Sequence, residues 1–137
     1  GFQRRWDWQC CQRYNGGSLL NTGPHPLDQA LDLMECDEMP HIFSKLARVN
    51  TSGDAEDYVK IILTAPGKPL VDIEISSCDA FSDYTYKIQG SCGGLKGTMR
   101  EIQWKYFIPE DEETHELILE PLSKEDGSPA YCSEQLK

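Results

Sequence analysis

One stretch near the start of the chain constrains its fold most, because it joins a pair of glycines to an amphipathic helical pattern. It reads Gly16-Gly17-Ser18-Leu19-Leu20-Asn21-Thr22-Gly23-Pro24-His25-Pro26-Leu27-Asp28. At helical spacing an apolar stripe runs beside a polar stripe. The apolar stripe contains Leu20, Leu27, Leu31 and Met34, and the polar stripe contains Asn21, His25, Asp28 and Asp32. The pattern predicts a helix that continues to about Cys36 and packs one face against the rest of the domain.

Two prolines interrupt this predicted helix on either side of a histidine. Pro24 and Pro26 lack a backbone N–H, so the helix either restarts near Pro24 or bends there. His25 therefore lies at a helix start or kink, and Asn21 precedes it by the four residues at which helical side chains meet. A helix start favours the neutral imidazole, which can accept a proton from a hydroxyl near pH 7. A lone histidine is more often structural, so both interpretations remain open on these grounds.

The pattern Gly-Gly-x-Leu-x-Asn-x-Gly-x-His-x-x-Asp resembles the signature of the C-terminal domain of the Gfo/Idh/MocA family, which is named after glucose–fructose oxidoreductase and inositol dehydrogenase. Arg5, Trp8 and Tyr14 also fit that domain, as do the strands predicted downstream, so the resemblance covers most of the chain. It implies an enzyme that oxidises or reduces a sugar, cyclitol or related polyol with NAD or NADP. One position departs from the pattern, because many dehydrogenases of the family carry an aspartate where this chain has Asn21.

The resemblance also implies roles for single residues. The histidine matching His25 is implied as the general acid/base, assisted by the residue matching Asn21 and by a lysine of an N-terminal Rossmann domain. Asn21 cannot take a proton, but its amide can hydrogen-bond a hydroxyl or orient the imidazole. Trp8 falls near the family's substrate cleft, although packing is its ordinary role. The catalytic candidates are thus His25 and Asn21, and the substrate-binding candidates are these two residues and Trp8.

Outside the helix, the sequence predicts mostly strands. Residues 4–14 read as a short polar helix, residues 90–94 as a turn and residues 110–113 as a solvated acidic loop. Alternating apolar and polar residues predict strands at 42–49, 58–64, 70–76, 84–89, around 102–106 and at 115–120. Because short turns between strands require antiparallel pairing, the predicted fold is α+β, with an open, mainly antiparallel sheet and helices packed on one face. We expect residues 1–137 to form a single domain.

Composition excludes several classes of function. The net charge is −10, and no Lys/Arg cluster appears along the sequence, so nucleic acid and anionic membranes are not expected partners. No apolar run approaches the roughly 18 residues that a membrane span needs. The six cysteines include no Cys-x-x-Cys pair, which favours reduced thiols, a cytoplasmic location and no metal site. The chain also lacks a Gly-x-Gly-x-x-Gly fingerprint, so we expect no cofactor site in it.

Three hypotheses for function remain open from the sequence. The first is a substrate-binding and oligomerisation domain of an NAD(P)-dependent sugar or polyol oxidoreductase, inactive without its N-terminal Rossmann domain. That domain would be absent from this sequence. A second copy would pair through the open sheet face, anchored by aromatic residues among Tyr58, Tyr84, Tyr86 and Trp104. The second hypothesis, favoured by Asn21, is a non-catalytic relative that binds a carbohydrate or regulates. The third is a freestanding interaction domain.

Overall fold

The chain folds as an α+β protein with open antiparallel sheets, which confirms the predicted class. The structure, a computed structural model, describes residues 4–109 together with the backbone of residues 114–119. Contacts divide the chain into two compact units, Gly1–Phe81 and Ser82–Lys137. The strands are shared between two sheets, where the sequence predicted one. That residues 1–137 form a single domain stays a prediction.

The first unit begins with two short 3-10 turns, Trp8–Cys10 and Gln12–Tyr14, in place of the predicted polar helix. The Asp7 carboxylate accepts a hydrogen bond of 3.0 Å from Gln9 N and so starts the first turn. Cys11 then takes an extended backbone conformation, with φ −116° and ψ 118°. An extended residue cannot continue a helix, so the polar segment forms two separate turns.

The motif helix is divided in two. Helix α1 covers Ser18–Asn21, and helix α2 covers Pro24–Met34, so the chain takes the restart of the two predicted alternatives. The predicted apolar stripe is wrong in two places, at Leu20 in α1 and at Leu31 in α2. Leu20 and Leu31 are 58% and 41% exposed. The side chains of α2 that join the core are Leu27, Ala30 and Met34.

The first sheet contains the core of this unit. Its antiparallel strands are β1 (His41–Ala47), β2 (Tyr58–Thr64) and β3 (Val71–Ser76), with β2 in the middle. The buried side chains of β2 and β3 are Val59, Ile61, Leu63 and Ile73, and they cluster with Ala30 and Met34 of α2. Strand β1 lies at the edge, and all of its residues except Ala47 are exposed. The helix therefore covers only part of this sheet.

The opposite face of the first sheet carries a charged network. Lys60 Nζ lies 2.8 Å from Asp72 Oδ1 and 3.1 Å from Glu74 Oε2. The hydrogen bond to Asp72 and the nearby carboxylate of Glu74 raise the pKa of Lys60 above its usual value, although partial burial opposes this. The network joins β2 to β3 across the polar face.

The second unit forms a four-stranded antiparallel sheet. Its strands are β4 (Tyr86–Gly90), β5 (Gly93–Gly97), β6 (Ile102–Phe107) and β7 (Thr114–Leu119), in that order. The predicted turn between strands at residues 90–94 is present but shorter, because β4 ends at Gly90 and β5 begins at Gly93. Strand β4 starts two residues later than predicted, which leaves Tyr84 outside it. The acidic residues 110–113 and Cys132 lie outside the described residues.

Two further features concern the described residues alone. None of their helices is long and apolar enough to cross a bilayer. Cys10, Cys11, Cys36, Cys78 and Cys92 are free thiols.

Candidate functional site

The glycine pair forms a tight turn in front of helix α1. Gly16 N donates to Cys11 O at 3.1 Å, and Gly17 N donates to Gln9 O at 2.9 Å. Gly17 has a φ of +115°, a region that residues with a side chain rarely adopt. A Cβ atom on Gly16 would lie 2.6 Å from Gln9 O. Both positions therefore require glycine, which brings the first 3-10 turn against the start of α1.

Glu56 holds the start of α1 from a distant part of the chain. Its carboxylate accepts a hydrogen bond of 3.0 Å from Leu19 N, and its carbonyl accepts one of 3.0 Å from Ser18 N. A Cβ atom on Gly17 would collide with this carboxylate. The partial positive charge of the helix start is thus already matched by an anion of the protein itself.

Asp57, the next residue, is a buried carboxylate that joins the ends of the three strands. It is 7% exposed. One of its oxygens accepts a hydrogen bond of 2.7 Å from Val49 N, and the other accepts one of 2.8 Å from Asn50 N. Its carbonyl accepts from Ser77 N at 3.0 Å. Both carboxylate oxygens are used by the backbone, so Asp57 is a structural clamp.

A polar cavity lies between the first 3-10 turn, helix α1 and these strand ends. Its volume is about 200 Å³. The polar side chains in its lining include Arg5, Gln9, Asn21, Thr22, Thr51 and Ser77. Amides and hydroxyls both donate and accept hydrogen bonds, as the hydroxyl groups of a polyol do. The lining therefore suits a small, hydroxyl-rich molecule better than an apolar one.

The structure brings one of the three predicted site residues to this cavity. Asn21 ends helix α1 and lines the cavity, and its Nδ2 donates to Gln9 Oε1 at 3.2 Å. His25 is the second residue of α2 and is exposed, and its imidazole makes no hydrogen bond within the described part of the chain. Trp8 is 52% exposed and starts the first 3-10 turn. Neither His25 nor Trp8 is among the cavity-lining residues.

The predicted pairing of Asn21 with His25 assumed one continuous helix. Thr22 and Gly23 lie between α1 and α2, and no hydrogen bond joins the two side chains among the described residues. The catalytic roles of His25 and Asn21, and the binding role of Trp8, stay predictions.

Sequence reasoning missed several residues that build the cavity. Gln9 orients the Asn21 amide, and Glu56 fixes the helix start, yet neither belongs to a recognisable motif. Glu56 lies far from α1 in the sequence and meets it only through the fold. Arg5 could have been found from the sequence, because it is one of the residues that fit the C-terminal domain of the resembled family. No group of three or more His, Cys, Asp or Glu side chains within the described residues could hold a metal ion.

Most of the chain matches the model of a known protein family. Residues 1–96 match the model of the GFO/IDH/MocA C-terminal domain. No curated protein sequence matches the chain.

Solved structures share the fold. A protein from Yersinia pestis has a TM-score of 0.68 and 20% identity, over 88% of this chain and 38% of its own. An NAD-binding oxidoreductase from Klebsiella pneumoniae has a TM-score of 0.66 and 18% identity, over 85% of this chain and 35% of its own. An Agrobacterium radiobacter oxidoreductase in complex with NAD⁺, L-tartaric acid and magnesium has a TM-score of 0.61 and 15% identity. The match covers 88% of this chain and 35% of that protein.

The chain thus spans little more than a third of the length of these proteins. At such identities the similarity establishes the fold of the chain.

Proposed function

Because the chain belongs to the GFO/IDH/MocA family through its C-terminal domain, we propose that it forms the substrate-binding side of an NAD(P)-dependent oxidoreductase acting on a sugar, cyclitol or related polyol. The observation that carries this proposal is the polar cavity beside the family motif. Asn21 belongs to the motif and lines the cavity, and the surrounding amides and hydroxyls can pair with several substrate hydroxyls.

The proposed roles follow from the positions of the motif residues. Asn21 binds a substrate hydroxyl through its amide, which Gln9 orients at 3.2 Å. His25, exposed at the start of α2, acts as the general acid/base on the reacting hydroxyl in the whole protein. Trp8, half-exposed beside Gln9, contributes an apolar surface to the substrate. A neighbour crystallised with L-tartaric acid supports a small polyhydroxylated substrate.

The nicotinamide cofactor requires a second domain. The described residues do not fit a dinucleotide. Glycine precedes both helices, but α2 begins with Pro24, which has no N–H to offer, and the start of α1 is already capped by the Glu56 carboxylate. That carboxylate would repel a pyrophosphate at the place where such groups bind to helices. We therefore propose that an N-terminal Rossmann domain of the whole protein holds NAD or NADP and supplies a catalytic lysine. Hydride transfer is the chemistry that the cofactor would supply.

Because the proposed cofactor site lies in another domain, we expect that the 137-residue chain alone binds neither cofactor tightly and turns over no sugar. Isothermal titration calorimetry with NAD(H) and NADP(H) should give no binding heat at micromolar concentrations. The control is the whole protein under the same conditions, which should bind one of the two cofactors. A single-site micromolar signal from the chain alone would contradict the prediction.

A non-catalytic relative that binds a carbohydrate is the alternative function, and Asn21 favours it. An amide stands where many family members have a carboxylate, so a protonated His25 would lack that electrostatic support. An oxidation assay of the whole protein against sugars, cyclitols and tartaric acid separates the two functions. Binding of one of these compounds without any cofactor reduction would select the alternative.

We also propose that two copies associate through the apolar face of the second sheet. Pairing places Tyr86, Ile88, Leu95, Trp104 and Tyr106 on this face. Ile88 and Tyr106 are 43% and 37% exposed. Of the four predicted anchors, Tyr86 and Trp104 lie on this face, whereas Tyr58 and Tyr84 do not.

The assembly proposal predicts dimers in sedimentation experiments at high micromolar concentration. Ile88→Glu should shift the chain to monomers, because a carboxylate would be buried without a partner at the interface. Phe43→Glu, at an exposed position of the other sheet, is the matched control and should leave dimers intact. Exclusive monomers of the unmodified chain would rule out this interface.

A further inference from the structure

The polar cavity beside helix α1 has a single cationic residue, Arg5, among the described residues of its lining. The lining also contains the acidic residues Glu56 and Asp57, but the backbone already engages both of their carboxylates. Glu56 accepts a hydrogen bond of 3.0 Å from Leu19 N, and both Asp57 oxygens accept from backbone N–H groups. The charged group of the cavity that stays available to a ligand is therefore the Arg5 guanidinium.

The fold fixes the backbone of Arg5 beside the cavity. Its carbonyl accepts a hydrogen bond of 3.0 Å from Cys10 Sγ, and it accepts a second one from Ser52 Oγ, 47 residues further along the chain. These bonds join the segment before the first 3-10 turn to the loop between β1 and β2. The Arg5 side chain is 40% exposed, so a ligand can reach it. A cation whose backbone is held before a ligand arrives lowers the cost of ordering the site on binding.

The Arg5 guanidinium retains its hydrogen-bonding capacity, because it donates to no other group within the described residues. Its ion-pair partner is Asp7, whose Oδ2 lies 3.8 Å from Nη1 and thus beyond hydrogen-bond distance. The other Asp7 oxygen accepts from Gln9 N. An exposed ion pair of this kind contributes little free energy. It therefore competes weakly with a bound carboxylate, which can form two parallel hydrogen bonds with the planar guanidinium.

Two amides in the same cavity suit the hydroxyl groups of a ligand. Asn21 Nδ2 donates to Gln9 Oε1 at 3.2 Å, and this bond orients the Gln9 Nε2 donor and the Asn21 Oδ1 acceptor. A hydroxyl can pair with either group. The cavity volume of about 200 Å³ is below the roughly 300–1,000 Å³ of sites for drug-sized ligands. Because Arg5 and both amides line this small cavity, one short molecule can contact all three.

We propose that the cavity binds a polyhydroxylated carboxylic acid, such as an aldonic acid, with its carboxylate on Arg5 and its hydroxyls on Gln9 and Asn21. This inference rests on the proposed function, and it narrows the substrate class from polyols in general to sugar acids. A carboxylate carries one negative charge, which one guanidinium balances. A phosphate monoester carries about −1.5 to −2 at pH 7, and its additional charge would meet Glu56 and Asp57 without a second cation.

The test is a nuclear magnetic resonance titration of the ¹⁵N-labelled chain with D-gluconate and with D-glucitol. D-Glucitol has the same hydroxylated carbon chain, with a CH₂OH group in place of the carboxylate. We expect D-gluconate to shift the side-chain N–H signals of Arg5, Gln9 and Asn21. It should also bind about 10-fold or more tightly than D-glucitol, since hydrogen bonds to a charged group are stronger than those between neutral groups.

Substitutions at Arg5 separate charge from geometry. Arg5→Gln should weaken D-gluconate binding by about 10-fold or more and leave D-glucitol binding within about twofold, because it removes the contact to the carboxylate alone. Arg5→Lys keeps the charge without the planar fork, so it should give an intermediate affinity for D-gluconate. Both substitutions spare the carbonyl that Cys10 and Ser52 hold, and the melting temperature should therefore stay close to that of the unmodified chain.

Arg13→Gln is the matched control, because it removes the same charge from an exposed arginine of the same segment. The Arg13 guanidinium lies 4.3 Å from the centre of the Tyr14 ring, and Arg13 is not among the residues that line the cavity. This variant should bind D-gluconate within about twofold of the unmodified chain, as expected for a screened charge outside the site.

Several results would overturn the assignment of a sugar acid. They are a failure of D-gluconate to bind, equal binding of D-glucitol, equal losses in Arg5→Gln and Arg13→Gln, or tighter binding of D-glucitol 6-phosphate. The proposed oxidoreductase function fails on a different result, which is the absence of cofactor reduction by the whole protein with any sugar, polyol or sugar acid. A neutral polyol that is oxidised by the whole protein would keep that function and reject the sugar acid.

Discussion

Replacing His25 by alanine in the whole protein is expected to lower kcat by about 10²–10⁴-fold, the loss typical of a removed general acid/base. The imidazole is exposed at the start of α2 and makes no hydrogen bond within the described residues, so the substitution should leave the melting temperature nearly unchanged. Turnover and thermal unfolding, measured on the same preparation, check both parts of the prediction. A catalytic role appears as lost turnover at constant stability.

Asp32→Ala is the matched control, because Asp32 is an exposed polar residue further along the same helix. It should retain turnover close to that of the unmodified protein. The proposed role of His25 would be wrong if His25→Ala lowered stability while turnover stayed intact. Asn21→Asp adds a second comparison, since a carboxylate at this position should support a protonated imidazole and raise kcat. A fall in kcat for Asn21→Asp would show that the amide itself, held by Gln9, is required.

The second large effect is expected at Asp57. Asp57→Ala should lower the free energy of unfolding by about 2–5 kcal/mol, because it leaves two backbone N–H groups without their acceptors. The groups are those of Val49 and Asn50, at 2.7 Å and 2.8 Å from the carboxylate oxygens. Denaturant unfolding followed by circular dichroism gives the value directly.

Two further variants test whether the Asp57 carboxylate itself provides the stability. Asp57→Asn keeps one side-chain acceptor, so it should be less destabilising than Asp57→Ala. We expect it to lower the free energy of unfolding by about 1–3 kcal/mol relative to the unmodified chain. Asp37→Ala removes an exposed carboxylate and should change stability by less than about 0.5 kcal/mol. If Asp57→Ala were as mild as Asp37→Ala, the clamp would not be what holds the strand ends together.

Local patterns in the sequence predicted the elements whose side chains alternate clearly. Strand β2 has its predicted bounds, because Val59, Ile61 and Leu63 alternate with more polar neighbours and are buried together. Strand β5 was not predicted, because three of its five residues are glycines, which have no side chain to show alternation. The predicted apolar stripe was wrong at Leu20, which the helix break separates from α2, and at Leu31, because the core-facing side of α2 carries Leu27, Ala30 and Met34 instead.

The site was predictable only in part, for a different reason. The motif pointed to Asn21, which does line the cavity. Glu56 and Asp57 reach their partners through contacts between residues far apart in the chain, and no local pattern specifies such contacts.

The position of β1 at the sheet edge bears on how the chain behaves at high protein concentration. Among the described strands, none pairs with the outer side of β1. Such an edge offers backbone N–H and C=O groups to any other strand, which is a common route to aggregation. Ile42 and Phe43 on this strand are 56% and 60% exposed, and burying their apolar side chains against another strand would favour pairing. Lys45 lies in the same strand, and a charged side chain on an edge opposes such pairing. The colloidal stability of the purified chain therefore depends on the charge at position 45, which a neutral substitution would remove.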